Sequence, residues 1–227
     1  GPPNAGKSTL SNALVGQKVA IVTHKAQTTR ARLRAVVMHE QSQVVLVDTP
    51  GIFSGEKKLD KAMVQEAWSG AEEADAVLVV LDASRALPAE TELVLAGVKN
   101  TSKPVILVLN KVDAVKREKL LELTQQLNEA ANFADTFMVS ALKETGLEEL
   151  KSYLAQLVPE GPWHYPEDMA ADVPSLLLAA EVTREKLFLR LHQELPYALT
   201  VETESWKRQK DSSVRLEQVI FVRRDSQ

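Results

Sequence analysis

The chain has no cysteine. That excludes disulfide staples, iron–sulfur clusters, Cys-ligated zinc and thiol nucleophiles together. Aromatic residues make up only 5% of its 227 residues. Its longest apolar runs, Ala76 to Leu81 and Val105 to Leu109, are far shorter than the roughly 20 residues a bilayer helix needs. Glycine is scarce and stops early: there are nine, the last at Gly161. An excess of positive charge is also missing. The 27 Lys and Arg face 31 Asp and Glu, a net −4, which argues against a broadly basic nucleic-acid-binding surface. What is present is ordinary for a folded protein: 44% hydrophobic and 26% charged residues, enough to bury a core.

Four apolar or β-branched runs read as buried strands: Val44–Val47, Ala76–Leu81, Val105–Leu109 and Thr136–Val139. Leucines at three- and four-residue spacing follow, as Leu120, Leu123, Leu127 and then Leu147, Leu150, Leu154, Leu157, the signature of amphipathic helices. Strand-then-helix alternation predicts an α/β fold with a mainly parallel sheet and helices on both faces. Beyond Val158 the texture changes, with four of the ten prolines between Pro159 and Pro174. Proline removes amide donors and disfavours helix in the residue before it, so this reads as an ordered linker. A helix over about Ser175 to Glu194, with Leu176, Ala180, Leu187 and Leu191 on one face, is expected next. The alternating stretches Ala198–Trp206 and Val214–Val222 then predict a hairpin.

Gly1-Pro2-Pro3-Asn4-Ala5-Gly6-Lys7-Ser8 fits the phosphate-loop pattern G-x-x-x-x-G-K-[ST] throughout. Its glycines let backbone amides converge on phosphate oxygens, and the helix that follows presents its N-terminus to the same anion. Lys7 can reach β- and γ-phosphates, and Ser8 can hold Mg²⁺. The candidate phosphate-binding residues are Gly1, Asn4, Ala5, Gly6, Lys7, Ser8 and Thr9. Such a loop hangs from the end of a central strand, so the native chain is expected to extend upstream of Gly1. Asp48-Thr49-Pro50-Gly51 follows a strand, as a second Mg²⁺ contact (Asp48) and a γ-phosphate amide (Gly51) would.

Asn110-Lys111-Val112-Asp113 ends one strand and Ser140-Ala141 ends the next, at the carboxyl edge where open α/β sheets bind ligands. A carboxylate only accepts hydrogen bonds. Asp113 therefore suits the N1–H and 2-amino group of guanine, whereas adenine offers neither donor there. Asn110, Lys111, Asp113, Ser140 and Ala141 are the candidate guanine-binding set.

The ordered set GPPNAGKS, DTPG, NKVD and SA resembles a translation-factor-class GTPase. Lys25-Ala26-Gln27-Thr28-Thr29-Arg30 resembles switch I of the Era family in particular, as do the proline-rich linker and Arg184-Glu185-Lys186…Glu194-Leu195-Pro196-Tyr197. The resemblance implies residues 1–158 as a GTPase domain lacking its first strand and 159–174 as linker. Residues 175–227 would be the front part of an α+β KH-type RNA-binding domain. It implies that Thr29, with Thr28 the adjacent alternative, ligates Mg²⁺ in the triphosphate state. It further implies slow GTP hydrolysis to GDP coupled to binding small-subunit ribosomal RNA during small-subunit assembly. A cytoplasmic, ribosome-associated monomer with peripheral contact at the inner membrane belongs to the same expectation.

Ile52 stands where Ras-like GTPases carry a water-orienting glutamine, and isoleucine has no donor or acceptor. Asn4 matches the asparagine that cation-dependent relatives use to bind K⁺; a residue tolerated for its turn propensity is the equal alternative. KH domains clamp nucleotides with a Gly-x-x-Gly loop, and no glycine follows Gly161, so no RNA-gripping residue is named. Residues 160–227 hold 9 basic and 12 acidic side chains, so the RNA-binding part is not basic as written. Lys207-Arg208-Gln209-Lys210 reads as a solvated hairpin tip, and the four histidines lack ligand spacing. Two rivals remain: a sensor of GTP and GDP with negligible hydrolysis, and a tRNA-modifying GTPase. The second family ends in a cysteine-bearing motif that this chain lacks.

Overall fold

The computed structural model describes residues 1–22, 33–48, 71–172, 175–191 and 199–222. Thr28, Thr29, Gly51 and Ile52 lie outside them.

Helix α1 (Lys7–Val15) follows the phosphate loop and leads to an antiparallel pair, β1 (Leu33–His39) and β2 (Ser42–Asp48). The main sheet is parallel, in the order β3 (Val77–Asp82), β4 (Val105–Asn110), β5 (Asp135–Met138). Helix α2 (Glu90–Asn100) connects β3 to β4, and α3 (Arg117–Ala130) connects β4 to β5. Helix α4 (Leu147–Leu157) follows β5. The side-chain alternation of the strands sorts the core into two layers. Val80, Ile106 and Val108 pack with Leu10 and Leu14 of α1 and Leu150 and Leu154 of α4. Val79, Leu81, Leu107 and Leu109 pack with Val94 and Val98 of α2 and Leu120 and Leu127 of α3. All six residues of β4 are buried, as a strand covered on both faces requires.

The expected strands are found within a residue or two of their bounds. Strand β1 was not expected, because Arg34 and the basic residues before it mask the apolar stretch Ala35–Met38. Strands β2 and β3 do not pair. A slot of about 170 Å³ separates them, lined by Val45–Asp48, Val77–Val80 and the inner face of α1.

The linker is ordered and fastened to the β1–β2 pair. Val36 N–H donates to Ala170 O at 2.8 Å, Asp172 N–H to Arg34 O at 3.0 Å, and Ala35 bridges Ala171. The Gln43 side chain accepts from the amides of His164 (2.9 Å) and Tyr165 (3.0 Å) and donates to Tyr165 O (2.9 Å). Trp163 donates to Gln41 O at 3.0 Å while staying 46% exposed, so it pins the linker to the turn.

Helix α5 (Ser175–Arg190) packs on the hairpin of β6 (Leu199–Arg208) and β7 (Val214–Val222), with Ala180, Leu199 and Val201 as a small core. Lys207–Lys210 lie exposed at the hairpin tip. Of the expected apolar face, Ala180, Leu187 and Leu191 pack in or against this core, while Leu176 is exposed; Arg184, Glu185 and Phe188 are buried in addition. The reason is that α5 touches a second partner. Glu185 accepts from the backbone N–H of Val22 at 2.9 Å and pairs with Lys18, both in the segment after α1.

Burial opposes the charge on Glu185, but Lys18 and the Val22 amide outweigh it and hold the carboxyl below its usual range. A depressed folded-state value stabilises the fold above the unfolded carboxyl value and is lost as pH falls through the folded one. Glu185→Gln is therefore expected to cost about 1–2 kcal/mol at pH 7. Urea unfolding at pH 7 and pH 4 should show the variant losing less stability on acidification than the unaltered chain.

Candidate functional site

The loop before α1 turns because Asn4 (φ 60°) and Gly6 (φ 92°) adopt left-handed backbone. Alternating handedness of this kind gathers successive N–H groups into a concave anion-binding nest. A side chain at Gly6 would be strained by that φ and would also collide, its Cβ falling 2.3 Å from Asn110 Nδ2. Lys7 folds over the loop, donating to Gly1 O (3.1 Å) and Pro2 O (2.8 Å). Burial pushes its ammonium down to about 8, with Asp48 opposing that shift. A half-buried cation above converging amides is a site suited to a polyanion.

Asp48, at the end of β2, is buried and accepts from Ser8 Oγ at 2.7 Å. That separation is close to the roughly 3 Å between adjacent ligands of an octahedral ion with about 2.1 Å bonds, so the pair fits Mg²⁺. Among the described residues no cluster of three or more His, Asp or Glu could hold a metal unaided. The ion's other ligands would come from phosphate and water, as Mg²⁺ prefers. Thr9 sits partly buried on α1.

Asn110, at the end of β4, is 2% exposed and joins three segments. Its Nδ2 donates to Ala5 O at 3.0 Å, and its Oδ1 accepts from Lys111 N (2.8 Å) and Ala141 N (3.0 Å). Lys111, in left-handed backbone at φ 65°, sends Nζ to Asn4 O at 3.0 Å and Asp82 Oδ2 at 2.7 Å. Asp113 is the middle residue of a single 3₁₀ turn, Val112–Ala114, and accepts from Ser140 Oγ at 2.5 Å. Ser140 is fully buried, and its Oγ also accepts from Lys143 N at 3.1 Å. Asp113 was expected to be a buried carboxylate. It is exposed at the rim, so a bound base would have to supply its burial.

The described members of the expected site therefore fall into one region at the carboxyl edge of the sheet. Sequence reading missed two residues there. Asp82 ends β3, buried, and Arg85 follows it at 3.1 Å. The signal was available, because Asp82 terminates an apolar strand just as Asp48 does.

A family model described as "50S ribosome-binding GTPase" matches residues 1–111. "GTPase Era" of Agrobacterium fabrum is 57% identical over all 227 residues, which span 72% of that relative. A crystal structure of Era in complex with MgGDPNP and nucleotides 1506–1542 of 16S ribosomal RNA is 35% identical. It superposes with a TM-score of 0.90 over 100% of this chain and 78% of its own. Aquifex aeolicus Era bound to GDP·AlF4⁻ is likewise 35% identical, with a TM-score of 0.90 over 99% of this chain and 77% of its own.

Gly6→Ala is expected to cost about 1–3 kcal/mol in unfolding experiments, from its left-handed backbone and the collision with Asn110. Gly161→Ala, whose Cβ would meet nothing within 4 Å, serves as the near-neutral control.

Proposed function

The chain belongs to the Era family of GTPases, and from that premise we propose how its residues carry out GTP binding, hydrolysis and coupling to RNA. The observation that carries the reading is Asn110. One buried side chain binds the phosphate loop, the Asn-Lys-Val-Asp segment and the Ser-Ala segment into a single site. The loop amides of Gly1 and Asn4 to Thr9, with Lys7, take the phosphates, and Gly51 supplies a γ-phosphate amide. Asp113 accepts the two guanine donors. Ser140 aims that carboxylate, and the Ala141 amide is fixed beside it by Asn110. Ser8, Asp48 and Thr29 (or Thr28) would hold Mg²⁺, which would neutralise phosphate charge.

Hydrolysis in this class is positioning plus charge stabilisation around in-line attack, with no covalent intermediate. Lys7 supplies fixed positive charge at the phosphates, and the loop amides supply donors that need no reorganisation. Ile52 offers the attacking water no hydrogen bond, which supports slow intrinsic turnover and a role for K⁺ held partly by Asn4. Asn4 is exposed on the loop.

Residues 1–158 are the GTPase domain in this reading, 159–174 the strap and 175–227 the beginning of the KH-type domain. The place of action is the cytoplasm, as a monomer on the small ribosomal subunit, with small-subunit rRNA as the bound RNA. No helix of the described residues is long and apolar enough to cross a membrane, and contact with the inner membrane would be peripheral.

Asp113→Ala should weaken GDP binding about a hundredfold while leaving weak ADP binding unchanged, as titration with fluorescent nucleotides would show. Single-turnover GTP hydrolysis should run several-fold faster in KCl than in NaCl and respond to added small subunits. Equal rates in the two salts would remove K⁺ from the mechanism. No hydrolysis under any condition would leave a nucleotide sensor instead.

A further inference from the structure

Three consecutive carbonyls of the phosphate loop are held from behind by three separate donors. Pro3 O receives Arg85 Nη2 at 3.4 Å, Asn4 O receives Lys111 Nζ at 3.0 Å, and Ala5 O receives Asn110 Nδ2 at 3.0 Å. Each peptide unit is planar, so fixing the oxygen of one residue fixes the N–H of the next. The amides that must face the phosphates, those of Asn4, Ala5 and Gly6, are thus aimed by what grips the opposite side of the loop.

Two of the three donors converge on one carboxylate. Asp82 Oδ2 lies 2.7 Å from Lys111 Nζ and 3.1 Å from Arg85 Nε. Its other oxygen accepts both the Ser84 N–H (3.0 Å) and the Ser84 hydroxyl (2.6 Å), which fixes the rotation of the carboxylate. Burial opposes the charge on Asp82, but the bonds from Lys111 and Ser84 outweigh it and hold its carboxyl below the usual range. Asp82 is 4% exposed in its side chain, whereas Lys111 and Arg85 are 39% and 48% exposed. The anion is therefore the rigid member, and the two mobile cations are tethered to it. Without it, two like charges would face each other behind the loop, and each could swing into water.

We infer that Asp82 and Arg85 are positioning residues of the nucleotide site, which set how long a guanine nucleotide stays bound by fixing the backs of the Pro3, Asn4 and Ala5 peptides. They touch no nucleotide atom; they act through Lys111 and the loop. The inference rests on the site assignment proposed above and adds to it a second layer on the neighbouring strand.

The test is the dissociation rate of fluorescent GDP from the full-length protein. Asp82→Asn, which keeps shape and removes charge, should release GDP about ten- to a hundredfold faster. Arg85→Ala, on the surface, should release it several-fold faster, and Asp82→Glu should restore most of the loss. A role confined to general stability would not discriminate backgrounds. Here, adding Asp82→Asn to Lys111→Met should add little beyond Lys111→Met alone, because the tethered cation is already gone. Wild-type release rates in both Asp82→Asn and Arg85→Ala would overturn the inference while leaving the site assignment standing. If Asp82→Asn does not fold, Arg85→Ala alone decides. Failure of the unaltered protein to bind GDP in preference to ADP would overturn both.

Discussion

The site depends on a single buried carboxamide. Asn110 ends a strand whose every residue is buried, so its side chain has no access to water and must find partners within the protein. It finds them in two segments far away in sequence, the phosphate loop and the loop after β5. Removing either partner would strand a buried polar group, at a cost of about 1–3 kcal/mol. The phosphate end and the base end of the pocket are therefore locked in register by the fold itself. Only an amide serves here, since the same side chain must donate at one atom and accept at the other; a carboxylate could not donate to Ala5 O.

Charge is distributed around that hinge unevenly. Asp48 and Asp82 both end apolar strands and are both buried, yet they meet different partners. Asp48 accepts from the Ser8 hydroxyl, close to the half-buried Lys7 ammonium. Asp82 is already saturated by Ser84, Lys111 and Arg85. The same residue type at a strand's carboxyl end is thus the proposed Mg²⁺ ligand in one case and an internal counter-ion in the other. What separates them is the next few residues: Thr-Pro-Gly after Asp48, Ala-Ser-Arg after Asp82.

That contrast marks how far the amino-acid sequence can be read. The main strands, the two core layers, the ordered strap and the hairpin followed from apolar periodicity and proline placement, because those patterns report local burial. The nucleotide motifs were legible because phosphate and guanine impose fixed residue types at fixed spacing. Strand β1 was missed because its entry is basic while its interior, Ala35 to Val37, is buried. The apolar face of α5 was legible in Ala180, Leu187 and Leu191, but its second buried face was not, because Glu185 pairs with Lys18 and Val22, more than 160 residues earlier. A charge buried for a partner that distant leaves no periodic trace. Asp82 was visible as an acid ending an apolar strand, but its pairing with Lys111, just past the next strand of the sheet, was not.

The contacts of α5 and the strap carry the argument from nucleotide to RNA. The strap bonds along β1, and Glu185 bonds the segment that follows α1. The hairpin-bearing part is thus joined to the GTPase part by a covalent strap and, at a second point, by the half-exposed Lys18 pairing with the buried Glu185. Two attachments separated in space resist rotation as well as separation, which a lone linker would not. A displacement of the segment that follows α1, and with it the phosphate loop, would therefore bear on α5 directly and not only through the strap.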